Sequence, residues 1–92
     1  MKVHVSVQQS NINVDEDFEG ENAEELVGKM KARVAKELPF AMRIMVNAMS
    51  NLMFAQEVVK RYNQNMKKDI PLPQSCDEFL TLAQEQGFAT IL

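Results

Sequence analysis

Ninety-two residues, 46% hydrophobic and 25% charged, with one cysteine and no tryptophan, read as one small domain. A chain of that length buries about 60–65% of its unfolded surface, enough for one core and not for two. The composition excludes a disulfide scaffold, a disordered chain, a membrane span and a multidomain enzyme. Met1-Lys2-Val3-His4-Val5 alternates where a secretion signal would be continuously apolar. The expectation is a cytoplasmic, small bacterial-type domain standing on apolar packing alone.

The net charge of −3 conceals three blocks: −6 over residues 1–28, +7 over 29–68 and −4 over 69–92. Helices favour acids at their starts and bases at their ends, so the layout reads first as domain electrostatics.

Val3, Val5 and Val7 alternate with Lys2, His4, Ser6 and Gln8, the period of a half-buried strand. Gln9-Ser10-Asn11 supplies turn residues, and Ile12, Val14 and Phe18 continue a second strand whose apolar face Glu16 interrupts. Residues 2–18 thus form a hairpin, which needs a cover because an isolated hairpin is not stable in water.

The cover follows. Asn22 stands three residues before Glu25, the spacing of a capping box, and Ala23, Leu26, Val27, Met30, Val34 and Leu38 recur at helical spacing. The spacing predicts a helix over 23–37, with Gly28 on its opposite face, that Pro39 ends. A second helix is expected over 40–66. Met42, Met45, Met49 and Met53 fall in one stripe of it, beside a stripe of Ala41, Ile44, Ala48, Leu52, Ala55 and Val59. Arg43, Asn47, Ser50, Glu57 and Arg61 gather on its far side with Phe54 among them. The apolar arc covers about half the circumference, wider than the ~100° stripe of a surface helix.

Two prolines make residues 69–74 an extended connector. Ser75 and Glu78 form a capping box for a third helix over 76–86, with Gly87 as its left-handed stop. Residues 88–92 read as an apolar tail or a third strand beside the hairpin. The fold class is α+β: an N-terminal β-hairpin packed on three helices, with a short C-terminal edge strand. The long second helix is expected to be the spine. The expected core is Val3, Val5, Val7, Ile12, Val14, Leu26, Val27, Met30, Val34, Ile44, Leu52, Val59, Phe79 and Leu82.

The chain offers little classical chemistry. Asp15-Glu16-Asp17-Phe18-Glu19-Gly20 imitates the start of a calcium loop, but its eighth and twelfth positions are Asn22 and Leu26, so it reads as a solvated acidic edge. His4 and Cys76 are the one nucleophile–base pairing on offer, and nothing in the sequence brings them together. Catalytic, metal and cofactor-binding residues are assigned to none, and the chain reads as a non-enzyme.

Three functions fit the residues. The first is a protein-interaction or regulatory module that forms a homodimer, or meets another protein, through Met42, Met45, Met49 and Met53, because a Met-rich face wider than the chain can shelter suits an adaptable interface. The second is nucleic-acid association through Lys60, Arg61, Lys67 and Lys68, with Tyr62 stacking on a base. The third is binding of a small apolar ligand in a methionine-lined pocket.

Overall fold

Period-two alternation puts the valines of the first strand on one face, and the register decides what joins them. The computed structural model describes the backbone of residues 1–9 and 12–92 and the side chains of residues 1–8 and 13–92. Strands β1 (Lys2–Gln9) and β2 (Ile12–Glu19) pair antiparallel, with Val3 opposite Phe18, Val5 opposite Glu16 and Val7 opposite Val14. A third strand, β3 (Ala89–Ile91), pairs antiparallel with the free edge of β1, so the sheet order is β2-β1-β3. Ser6 N–H donates to Phe88 O and Leu92 N–H to Lys2 O, closing the two ends of that pairing. The expected α+β class is present, terminal strand included. The turn at residues 10–11 and the core place of Ile12 lie outside the described residues.

Helix α1 (Ala23–Lys36) begins where its cap predicts: the Asn22 side chain accepts from Glu25 N–H at 2.9 Å. Leu26 and Val27, both 0% exposed, are its innermost residues. Pro39 ends the run and serves as N-cap of α2 (Phe40–Ala48). Arg43 reaches back from α2 to donate to Leu38 O at 3.3 Å and to Ala35 O at 3.2 Å, the latter also accepting from Leu38 N–H, so α2 is tied to the end of α1.

The single helix expected over 40–66 is two. Met49 and Ser50 are extended (ψ 146° and 163°), and α3 runs from Asn51 to Met66. Ser50, placed by its spacing on a polar helix face, is instead an N-cap whose hydroxyl accepts from Met53 N–H at 3.1 Å. Two ties hold the corner against α1: Lys31 Nζ donates to Met49 O at 2.7 Å, and Asn51 Nδ2 to Glu24 O at 3.0 Å. The break resets the helical phase. Phe54, assigned to the polar side of a continuous rod, is buried with Ala55 and Val59. Ile44, assigned to the core, is 54% exposed. Among the described residues the fold therefore has four helices rather than three, and its spine is α1, which packs against β2, α2, α3 and α4. Gly28 is not an idle position either, because a Cβ there would meet Asn51 Nδ2 at 3.2 Å where α3 approaches α1.

From α3 the chain returns along its own helix. Lys67 takes the left-handed cap (φ 54°), and Asn63 then grips the connector, donating to Ile70 O at 2.9 Å and accepting from Ile70 N–H at 3.1 Å. Gln56 Nε2 donates to Pro73 O at 2.9 Å, and Pro73 is fully buried. Helix α4 (Cys76–Glu85) starts at its predicted cap, Ser75 accepting from Glu78 N–H at 3.1 Å, and packs on α1, α3 and β3. Gly87 (φ 87°) turns the chain into β3. The core adds Phe18, Ala23, Phe54, Ala55, Cys76, Leu80, Ala83 and Ala89 to the residues expected there, Val7, Val34 and Leu82 pack against it half-buried, and Leu52, also expected there, is half-buried outside it. Among the described residues no helix is long and apolar enough to cross a membrane.

Candidate functional site

Helix α2 is the element the rest of the fold covers least. None of its nine residues is buried. Its packing is against α1, and its most exposed large apolar side chains, Phe40 (73% exposed), Met45 (64%) and Ile44 (54%), face outward. Ala41 and Ala48 are exposed with them. At ~100° per residue, Phe40, Ile44 and Ala48 lie along one ridge with Ala41 and Met45 beside it. No charge interrupts this face.

The four methionines expected to act together are divided. Met42 and Met49 line a cavity open on one side, Met45 belongs to the outer face of α2, and Met53, beyond the break, is exposed on α3. The stripe exists only if the helix is continuous, and Ser50 ends that continuity.

The cavity has a volume of about 150 Å³. Val5, Val7, Val14 and Phe18 of the sheet form one side. Met30 and Val34 of α1 and Met42 and Val46 of α2 form another, and Phe54 and Val58 of α3 close it with Phe79 and Ala83 of α4. Among the described residues its charged lining is confined to Glu57 and Arg61, which pair with each other across one helical turn (Oε1–Nε 3.6 Å). Arg61 is exposed, which marks the open side of the cavity.

The basic segment is partly engaged by its neighbours. Lys60 and Lys67 are exposed, while Arg61 pairs with Glu57. Lys68 Nζ donates to Gln86 Oε1 at 2.9 Å and sits 5.4 Å from the centre of the Tyr62 ring. Tyr62 itself packs at a tilt on Phe88 (centroids 5.3 Å apart, planes at 47°) and donates to Gln86 at 3.3 Å, so its ring is engaged within the fold.

His4 and Cys76 occupy different surroundings. On the outer face of the sheet, the His4 ring bonds Asp17 Oδ1 through Nδ1 at 2.6 Å and Asp15 Oδ1 through Nε2 at 2.8 Å. Its pKa is raised from the ordinary 6.5, chiefly by the hydrogen bond to Asp17, and that of Asp17 is lowered by the same bond. Cys76 is buried at the start of α4, and burial, with Glu24 and Asp77 adding to it, pushes its thiol pKa up. A helix N-terminus alone would have lowered it. The acidic run 15–19 is strand throughout: Glu16 accepts from Arg33 Nε at 2.6 Å, Arg33 also holds Glu37, and Lys29 donates to Glu19 O. Glu16–Arg33 and Glu25–Lys29 (3.6 Å) are ion pairs between the first two charge blocks. Among the described residues no group of three or more His, Cys, Asp or Glu side chains is placed to hold a metal ion.

No protein-family model, curated protein or solved structure matches this chain. Its site is therefore read from its own geometry. Two features escaped the sequence, the Phe40–Ile44–Ala48 ridge and the His4–Asp17 bond. The first was hidden by the assumption of one rod. The second needed the strand register, which places His4 opposite Asp17.

Proposed function

We propose that this chain is a non-enzymatic interaction module that pairs with a second copy of itself through the outer face of α2. The observation that carries this reading is that α2 buries none of its nine residues while presenting Phe40, Ile44 and Met45 to solvent. A contiguous apolar helix face of this kind marks an interaction surface.

The choice of a second copy follows from the ridge. Two antiparallel α2 helices related by a two-fold axis at Ile44 put Phe40 of each opposite Ala48 of the other, large against small, with no charge in the contact. Such self-complementarity is what an isologous dimer requires. Burying three large side chains from each copy gains at most about 9–18 kcal/mol. Association costs about 4–15 kcal/mol. The midpoints of these two ranges leave about 4 kcal/mol, which corresponds to a dissociation constant of about a millimolar. The non-enzymatic part draws support from the groups that nucleophilic chemistry would use: Cys76 is a buried thiol, and His4 is held by two carboxylates.

Sedimentation equilibrium from about 10 μM to 1 mM tests the reading, with Ile44→Asp as the variant that places like charges across the two-fold axis. The expected result is a concentration-dependent dimer for the native chain and a folded monomer for Ile44→Asp. A monomer mass throughout, or an unchanged dimer in the variant, overturns it.

A further inference from the structure

We infer that the cavity between the sheet and the four helices is a binding site for a compact, uncharged, largely hydrocarbon molecule about the size of one substituted aromatic ring. This inference is independent of the pairing of copies, because it concerns the inner side of α2 and not its outer ridge.

Size comes first. Enclosed apolar cavities of about 150 Å³ take up benzene-sized molecules, and this one, open on the Arg61 side, measures about 150 Å³. An α-helix is about 10–12 Å across with its side chains, so the space excludes a partner helix and selects a small molecule.

Chemistry comes second. Val7, Val34, Val46, Met49 and Val58 are half-buried side chains that meet the empty space, so an occupant would complete their burial. Among the described residues no buried side-chain nitrogen or oxygen lacks a partner, so the walls offer a ligand no waiting polar contact. A charged group inside would lose its hydration without compensation. Met30, Met42 and Met49 contribute unbranched, polarisable walls that adapt to the outline of a ring. Glu57 and Arg61, already paired, stand at the open side.

The test is a titration of the full chain with toluene, read by the methyl resonances of its valines and methionines, with the solution mass measured in parallel. The expected result is a saturable shift of the Val34, Val46, Met49 and Val58 methyls at unchanged mass. Val58→Phe, which fills the space, is expected to weaken that binding by about tenfold or more. Should Val58→Phe fail to fold, Val58→Ala enlarges the space and is expected to turn the preference from toluene toward p-xylene. The inference is overturned by non-saturable shifts, by a filled or enlarged variant that binds both probes as the native chain does, or by toluene merely converting a dimer to monomer. In that last case a side chain of the second copy is the natural occupant. The mass alone reports on the pairing of copies, so either idea can fail while the other stands.

Discussion

Bonds at single residues in this chain are set by register. Because His4 faces Asp17 across the β1–β2 ladder, and Asp15 lies two residues away on the same outer face, one imidazole meets two carboxylates. Its raised pKa means that the folded state binds a proton more tightly than the unfolded chain. The stabilisation is therefore complete below the ordinary value of 6.5 and is lost as the pH rises through the raised folded value. Asp17 runs the other way: its lowered pKa gives stability above the ordinary 3.8 that is lost as the pH falls through the folded value. Native chain and His4→Gln are thus expected to differ most in urea stability near about pH 5 and to converge as the pH rises past the raised folded value. A difference that does not vary with pH would remove the pair as a stabilising element. Cys76 shows the opposite influence of surroundings, since burial outweighs its position at a helix start.

At the scale of elements, punctuation decides more than propensity. Asn22, Ser50 and Ser75 each accept from an amide three residues on, and each starts a helix. Two of the three stood out because Glu follows at the third position. Ser50 is followed there by Met53, and a lone serine inside an apolar run reads equally well as the polar side of a longer helix. At the other end of α4, Gly87 sits at φ 87° with nothing within 4 Å of where a Cβ would stand. Its substitution therefore isolates the backbone cost. Gly87→Ala is expected to destabilise by about 1 kcal/mol, seen as a lower urea midpoint at unchanged slope. A neutral result would mean that the turn relaxes without its left-handed residue.

Across the whole molecule the distinction that matters is between apolar residues that the core uses and those it leaves over. Leu26 is 0% exposed and Ile44 is 54% exposed, although both fit a core pattern in the sequence. Leu26→Ala is expected to cost about 2–5 kcal/mol. That is a large part of the 5–15 kcal/mol holding a typical domain. Ile44→Ala, measured dilute enough to keep the chain monomeric, is expected to stay within about 0.5 kcal/mol. Denaturant unfolding of the two variants checks both values, and a large loss from Ile44→Ala would place that residue in the core after all. The same division separates the two sides of α2, one closing a cavity and the other facing outward.

Local chemistry was enough to determine the valine strand, the caps at Asn22 and Ser75, the stop at Pro39, the glycine turn before β3 and the α+β class. Those signals act within a few residues, so they survive in one dimension. The corner at Ser50, the burial of Phe54, the exposure of Ile44, the His4–Asp17 bond and the cavity were decided only by tertiary structure. Each depends on where one element lies against another: Lys31 and Asn51 tie the corner to α1, and the sheet and all of α1 to α4 must converge before the cavity exists. A helical wheel drawn through residues 40–66 assumes one axis, and once the chain bends at Ser50 two axes exist, which is why the same side chains change faces.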